Sequence, residues 1–142
     1  METNSLGIAL IKKFEGSRLE VYKDIAGFLT VGVGHRCSLP EGTIITQEQA
    51  DAFLRSDLVS AENDIKSCVS VDLTDNEFSA LVSLVFNIGG PNFRSSTMLK
   101  FLNQNDKAGA ANEFPKWDHA GGRVVQGLLA RRLAERSLFL SS

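Results

Sequence analysis

Phe14-Glu15-Gly16-Ser17-Arg18-Leu19-Glu20-Val21-Tyr22-Lys23-Asp24-Ile25-Ala26-Gly27-Phe28-Leu29-Thr30-Val31-Gly32-Val33-Gly34-His35 is the stretch on which the reading of this chain turns. Just upstream, Leu6, Leu10, Ile11 and Phe14 recur at helical spacing, with Asn4 or Ser5 available as N-cap, and Gly16 is a natural stop. The spacing therefore predicts a helix over residues 6–15 with Glu15 in its last turn. The end of a helix carries partial negative charge, so this is an electrostatically poor place for a carboxylate. That favours a functional reading over a solvated surface residue. Downstream, Val21-Tyr22 and Leu29-Thr30-Val31-Gly32-Val33 flank the turn signal Asp24-Ile25-Ala26-Gly27-Phe28, which predicts strands within residues 20–35. The fold-back brings Asp24 and Thr30 close, with the register left open. Gly32 and Gly34 inside a strand mark a bulge or a close approach by something else, such as a polymer crossing the hairpin.

Beyond this stretch the pattern is helical. Residues 36–45 form a loop or a last short strand, with Leu39-Pro40-Glu41-Gly42 as a turn. Thr46 caps a long helix over about 47–67, whose apolar stripe is Ala50, Phe53, Leu54, Leu58, Ala61 and Ile65. Asp57 falls on that stripe and needs a partner there, for which His35 is the candidate by type. Thr74-x-x-Glu77 is a capping box before Phe78, Leu81, Val82, Val85 and Phe86. That helix is expected to stop at Gly89-Gly90-Pro91. Further helices are expected from Ser95 or Ser96, over 106–114, and over 123–140 after a break at Gly121-Gly122. The organisation is a single domain over 1–142. It has a small β-hairpin lobe at about 16–45, a connecting helix at about 47–67, and a helical lobe at about 70–142 that includes the N-terminal helix. A cleft between two such lobes is a usual place for a ligand.

With 142 residues, 43% hydrophobic and 23% charged, the chain is long enough to bury a core without staples and is not disordered. No apolar run reaches the ~18 residues of a membrane helix. The N-terminus lacks the basic start and apolar run of a signal peptide, so synthesis in the cytoplasm is expected. Cys37 and Cys68 stand outside any CxxC or ligand cluster and read as free structural thiols; no metal or organic cofactor is expected. Charge is uneven: residues 1–93 hold seven Lys/Arg against thirteen Asp/Glu, net −6, and residues 94–142 hold eight against four, net +4. The basic end either favours an anionic partner, nucleic acid or cell wall, or is a solvated helical surface.

Two carboxylates flanking a cleft are what glycoside hydrolysis needs: one donates a proton to the leaving oxygen, and the other attacks or activates water. Glu15 and Asp24 offer that pair, and Thr30 adds a hydroxyl that can both donate and accept. The triple alone is a common pattern. It gains force because Phe14-Glu15-Gly16, Tyr22-x-Asp24 and Leu29-Thr30-Val31-Gly32-Val33-Gly34-His35 resemble the active-site region of the phage T4-type lysozymes, the endolysins of glycoside hydrolase family 24. The Glu-x8-Asp-x5-Thr spacing is matched without a gap. Phe86-Asn87-Ile88-Gly89 and Gly127-Leu128-x-x-Arg131-Arg132-x-x-Glu135 are similar to further segments of that family, in order, across essentially the whole chain.

The resemblance implies an α+β, predominantly helical, lysozyme-like fold and a muramidase. It would cut the β-1,4 bond from N-acetylmuramic acid to N-acetylglucosamine in bacterial peptidoglycan. Glu15 would be the general acid, and Asp24 and Thr30 would hold the attacking water, which implies inversion. It makes His35 and Asp57 a structural pair and places Arg131 near Glu15 as support. Arg132 is expected to face solvent or another acidic partner. Asn87 and Ser96 are candidate substrate contacts. Trp117, the sole tryptophan, is expected in the core, with stacking on a sugar as the alternative. The segment between His35 and Thr46 is short for the family's T4 member, and no signal-anchor segment precedes the helix. The expected protein is a monomer without stable membrane association or nucleic-acid binding. It would wait in the host cytoplasm for a membrane pore, a holin, to release it to the periplasm and cell wall. A lytic transglycosylase or a non-catalytic cell-wall-binding module are the rival readings.

Overall fold

The computed structural model describes residues 1–120 and 122–141, so Gly121, half of the expected break, lies outside the described residues. The fold is α+β and predominantly helical. Two compact units form, residues 11–59 and residues 1–10 with 60–142. Their boundaries fall inside two helices, α1 (Ser5–Glu15) and α2 (Gln47–Cys68). Among the described residues no helix is long and apolar enough to cross a membrane.

In the unit of residues 11–59, β1 (Arg18–Lys23), β2 (Leu29–Gly32) and β3 (His35–Arg36) make an antiparallel sheet in that order. Tyr22 pairs with Thr30 and Lys23 with Leu29, but Arg18 pairs with Gly32, so β1 bulges between Arg18 and Tyr22. Gly32 sits at the end of this irregularity with φ +64°, and a Cβ there would lie 3.4 Å from the Ala50 Cβ of α2. The close approach at Gly32 is therefore the sheet packing on a helix. Val21, Val31, Ile45 and Ala50 form the buried cluster, with Leu29, Cys37, Leu39 and Phe53 against it. Thr46 opens α2 by a reciprocal cap: its hydroxyl accepts from Gln49 N at 3.1 Å, and its own N–H donates to Gln49 Oε1 at 2.9 Å. Lys12 Nζ donates to Asp51 Oδ1 at 2.8 Å, and Gln47 Nε2 donates to the same oxygen at 2.9 Å. The lysine first and the glutamine second hold the Asp51 carboxyl below the usual carboxylate range.

The other unit is built on α3 (Asp75–Ile88), in which residues 78–85 are all buried. A helix apolar all round belongs inside a core, and α7 (Gln126–Leu140) packs along it. The Thr74–Glu77 capping box opens α3 as its sequence predicts. Three differences from expectation follow from local chemistry. Gly89-Gly90-Pro91 ends α3 but also starts a short helix, α4 (Gly90–Arg94), because a proline in the first turn lacks only an N–H that would be unpaired there anyway. After α5 (Thr97–Asn103), the expected helix over 106–114 divides into α6 (Lys107–Ala111) and a 3₁₀ turn at Phe114–Lys116. Arg123 and Val124, expected in the last helix, instead pair as β5 (Arg123–Val124) with β4 (His119–Ala120), and α7 starts only at Gln126. The β-branched pair Val124-Val125 favours the extended form. Cys37 and Cys68 are both free thiols.

Asn4 caps α1, its side chain accepting from Gly7 N at 3.0 Å. Gly7 is buried against α3, and a Cβ there would lie 2.7 Å from Ser79 Cβ and 2.9 Å from Thr3 Cγ2. Alanine gains about 1 kcal/mol over glycine in a helix interior, but overpacking a tight contact costs about 1–3 kcal/mol. The contacts here are short and one belongs to a core helix, so overpacking wins. Gly7→Ala should lower the melting temperature by a few degrees in a calorimetric scan, where a rise would show that the contact relaxes freely.

Candidate active site

Glu15 is the last residue of α1, where Gly16 (φ +78°) closes the helix by donating its N–H to the Lys12 carbonyl at 2.9 Å. Its side chain is exposed and lies against the β2–β3 turn: a Cβ on Gly34 would sit 4.0 Å from Glu15 Oε2. Gly34 has φ +66°, a conformation that a side chain would strain, so the turn presents bare backbone to the carboxylate.

Asp24 and Thr30 converge on one atom. Asp24 N and Thr30 Oγ1 each donate to the Phe28 carbonyl at 2.9 Å, so they are at most twice 2.9 Å apart. Phe28 N in turn donates to Asp24 Oδ1 at 2.9 Å, and Gly27 N to the Asp24 carbonyl at 2.9 Å, which fixes the turn and the carboxylate together. Asp24 and Thr30 are not directly opposite, because Thr30 faces Tyr22. Alternation carried one rung past β1 puts Asp24 on the same face as Thr30, one diagonal away. The donor use is decisive. The one proton of the Thr30 hydroxyl is given to Phe28, so toward anything else Thr30 is an acceptor, like the second oxygen of Asp24. The Arg36 guanidinium lies 3.9 Å over the Phe28 ring and pins the loop that carries these bonds.

His35 Nδ1 and Asp57 Oδ2 meet at 2.8 Å, and the His35 ring stacks on Phe53 at 4.2 Å between centroids with 5° between planes. The pair joins β3 to the middle of α2, which is where the carboxylate on the apolar stripe finds its partner.

On α7, Arg131 and Arg132 are buried with Glu135, the arginines 3% and 0% exposed and the glutamate 0%. Arg131 Nε approaches Glu135 Oε2 at 3.1 Å, and Arg132 Nε approaches Oε1 at 2.7 Å, the latter a charge contact rather than an aligned hydrogen bond. Ser83 donates to Glu135 Oε2 at 2.5 Å, and Arg131 Nη2 donates to the Ser83 carbonyl at 3.0 Å. Burial pushes the Glu135 carboxyl above the usual range, against the pull of the two guanidiniums and the Ser83 hydroxyl. Of the two surroundings expected for Arg132, the acidic partner is the one found.

Arg132 also donates from Nη1 to Asn87 Oδ1 at 3.0 Å. Asn87, Ile88, Asn92, Trp117, His119 and Leu128 line an open groove of about 480 Å³. Trp117 is half-buried in its wall, not in the core. Ser96 has a structural use. Only 6% exposed, it caps α5, its hydroxyl donating to the Phe93 carbonyl at 2.6 Å and accepting from Leu99 N at 3.1 Å. His119 and Asn92 escaped the sequence reading because the β4–β5 hairpin that carries His119 and the short helix that carries Asn92 were not foreseen.

A family model described as phage lysozyme matches residues 12–135. An endolysin of Acyrthosiphon pisum secondary endosymbiont phage 1 is 46% identical over 146 residues, covering 100% of both chains. The crystal structure of a P22 phage lysozyme mutant is similar with a TM-score of 0.93 and 40% identity over 99% of each chain. The muramidase domain of SpmX from Asticaccaulis excentricus is similar with a TM-score of 0.89 and 37% identity, again over 99% of each chain. The match spans both the Glu15–Asp24–Thr30 region and the buried Arg131–Arg132–Glu135 cluster, and the chain belongs to the phage lysozyme family.

Proposed function

We propose that this phage lysozyme, a member of glycoside hydrolase family 24, is the endolysin that breaks its host's wall. It hydrolyses the β-1,4 bond between N-acetylmuramic acid and N-acetylglucosamine with inversion at the anomeric carbon. Glu15 protonates the glycosidic oxygen. Asp24 and Thr30 hold the attacking water. The observation that carries this is the pair of side-chain bonds to Phe28: its carbonyl takes the Thr30 hydroxyl proton and its N–H is accepted by Asp24 Oδ1, so Thr30 and the second Asp24 oxygen are left as acceptors. A water that donates one proton to Asp24 and the other to Thr30 turns its lone pair away from both. As Asp24 takes the proton, that lone pair becomes the nucleophile. The short aspartate side chain, tied back into its turn, leaves room for the water where a longer acid would fill it. Inverting sites need that space.

His35 and Asp57 hold the hairpin that carries Thr30, Arg131 is a supporting residue of the site, and Asn87 contacts substrate. The enzyme acts as a monomer on bacterial peptidoglycan, binds neither nucleic acid nor membrane stably, and reaches the wall from the host cytoplasm through a holin pore. Digestion of purified peptidoglycan tests the chemistry. Products should carry reducing muramic acid ends, formed first as the α anomer and then mutarotating, as followed by NMR. A 1,6-anhydro end would make the enzyme a lytic transglycosylase, and an initial β anomer would make it retaining.

A further inference from the structure

Asn87 is exposed at the end of α3, yet one side of its amide is fixed from below. Arg132, fully buried, points Nη1 at Asn87 Oδ1 at 3.0 Å. A guanidinium has donors only, so the amide atom facing it must be the oxygen whatever label the coordinates carry. A flipped amide would set donor against donor and forfeit a charge-assisted hydrogen bond, a bias on the order of tenfold to a hundredfold. The guanidinium is itself held, by Glu135 at 2.7 Å and 3.2 Å, and Glu135 by Ser83 and Arg131. Ser83 and Asn87 share one face of α3, four residues apart, and Arg132 and Glu135 are three apart on α7. The Asn87 Nδ2 group has no hydrogen-bond partner among the described residues and belongs to the wall of the groove.

We propose that Arg132 is a positioning residue for substrate specificity: through the Ser83–Glu135–Arg132 chain it locks the Asn87 amide so that the groove presents an N–H donor and selects an acceptor oxygen on the ligand. The inference rests on the reading of Asn87 as a substrate contact. The matching chemistry on peptidoglycan is a carbonyl or carboxylate oxygen, carried either by an N-acetyl group of the glycan or by the stem peptide. A freely turning asparagine would accept donor and acceptor alike. A locked one discriminates, because a ligand donor placed against Nδ2 leaves both groups unpaired.

Two substitutions at position 87 separate the proposal from the reading beneath it. Asn87→Asp keeps an oxygen toward Arg132 and adds a negative charge to a cluster of two arginines and one glutamate, but it has no donor for the groove. It should melt no lower than the parent while KM for soluble peptidoglycan strands rises roughly tenfold and kcat changes less than twofold. Asn87→Ala should raise KM by a similar factor. If Asn87→Ala raises KM and Asn87→Asp does not, Asn87 contacts substrate but its donor is not what selects, and the positioning proposal fails alone. If Asn87→Ala leaves KM unchanged, the contact reading fails and takes the proposal with it. Arg132→Lys should raise KM severalfold in the parent and add nothing to Asn87→Ala; a KM increase that persists in the alanine background would assign Arg132 a general structural role instead. Strands stripped of stem peptides by an amidase identify the oxygen: a penalty that persists on them assigns the N-acetyl carbonyl, and a penalty confined to intact strands assigns the peptide.

Discussion

Glu15→Gln should abolish lysis of permeabilised cells while leaving the melting temperature within a degree or two of the parent. The substitution keeps the shape of the side chain and one acceptor oxygen, and it replaces the carboxyl with a neutral amide that has no acidic proton to donate. A positioned general acid contributes about 10²–10⁴-fold, so turbidity clearance should fall at least a thousandfold if protonation of the leaving oxygen limits the reaction. Stability should scarcely move, because an isosteric change at an exposed position is worth less than about 0.5 kcal/mol. The two readouts must be taken together. Lost lysis with a lowered melting temperature would say that Glu15 holds the helix end against the Gly34 turn. Retained lysis would remove Glu15 from the chemistry and leave a wall-binding protein as the better reading. Substrate binding by the inactive variant completes the test, since a pure loss of proton donation should leave it able to sediment with peptidoglycan.

Much of the frame was legible because it rests on local rules. The Gly16 stop, the Thr46 and Thr74 caps and the apolar stripe of α2 each need only residues within a turn or two of one another. The register of the hairpin was not legible, because the bulge between Arg18 and Tyr22 breaks the two-residue period from which a register is read. Gly32 was correctly marked as a close approach, but the approaching partner, Ala50, is eighteen residues away, and nothing nearby identifies it. Short elements escaped for a related reason: two-residue strands such as β4 and β5 have too few positions to show a period at all. Glu15, Asp24 and Thr30 were singled out by resemblance to the phage T4-type lysozymes, since their spacing alone is a common pattern, but the fact that Thr30 has spent its only proton on Phe28 is a matter of geometry. Ser96 proves to cap a helix, the alternative its sequence also allowed, because a helix-capping serine and a ligand-binding serine look alike in sequence. Arg132 gave no sign of its contact with Asn87, forty-five residues earlier.

Glu135→Ala should lose more stability than any surface change in this chain, about 3–5 kcal/mol, the cost of removing one partner from a buried ion pair. Two guanidiniums, 3% and 0% exposed, would lose a buried carboxylate that approaches both, and Ser83 would lose the acceptor for its hydroxyl. At about 2–4 °C per kcal/mol for a chain of this size, the melting temperature should drop by roughly 10 °C. Glu135→Gln separates charge from packing. The amide oxygen can still accept from one arginine or from Ser83, so the cavity term vanishes and only the charge term is left. If the glutamine variant falls nearly as far as the alanine variant, the cluster is held by charge. If it falls less than half as far, packing and hydrogen bonding dominate. An alanine variant that melts within two degrees of the parent would mean that water enters and solvates both arginines. The cluster would then be too open to hold Arg132 against Asn87, and the lock on the groove would go with it.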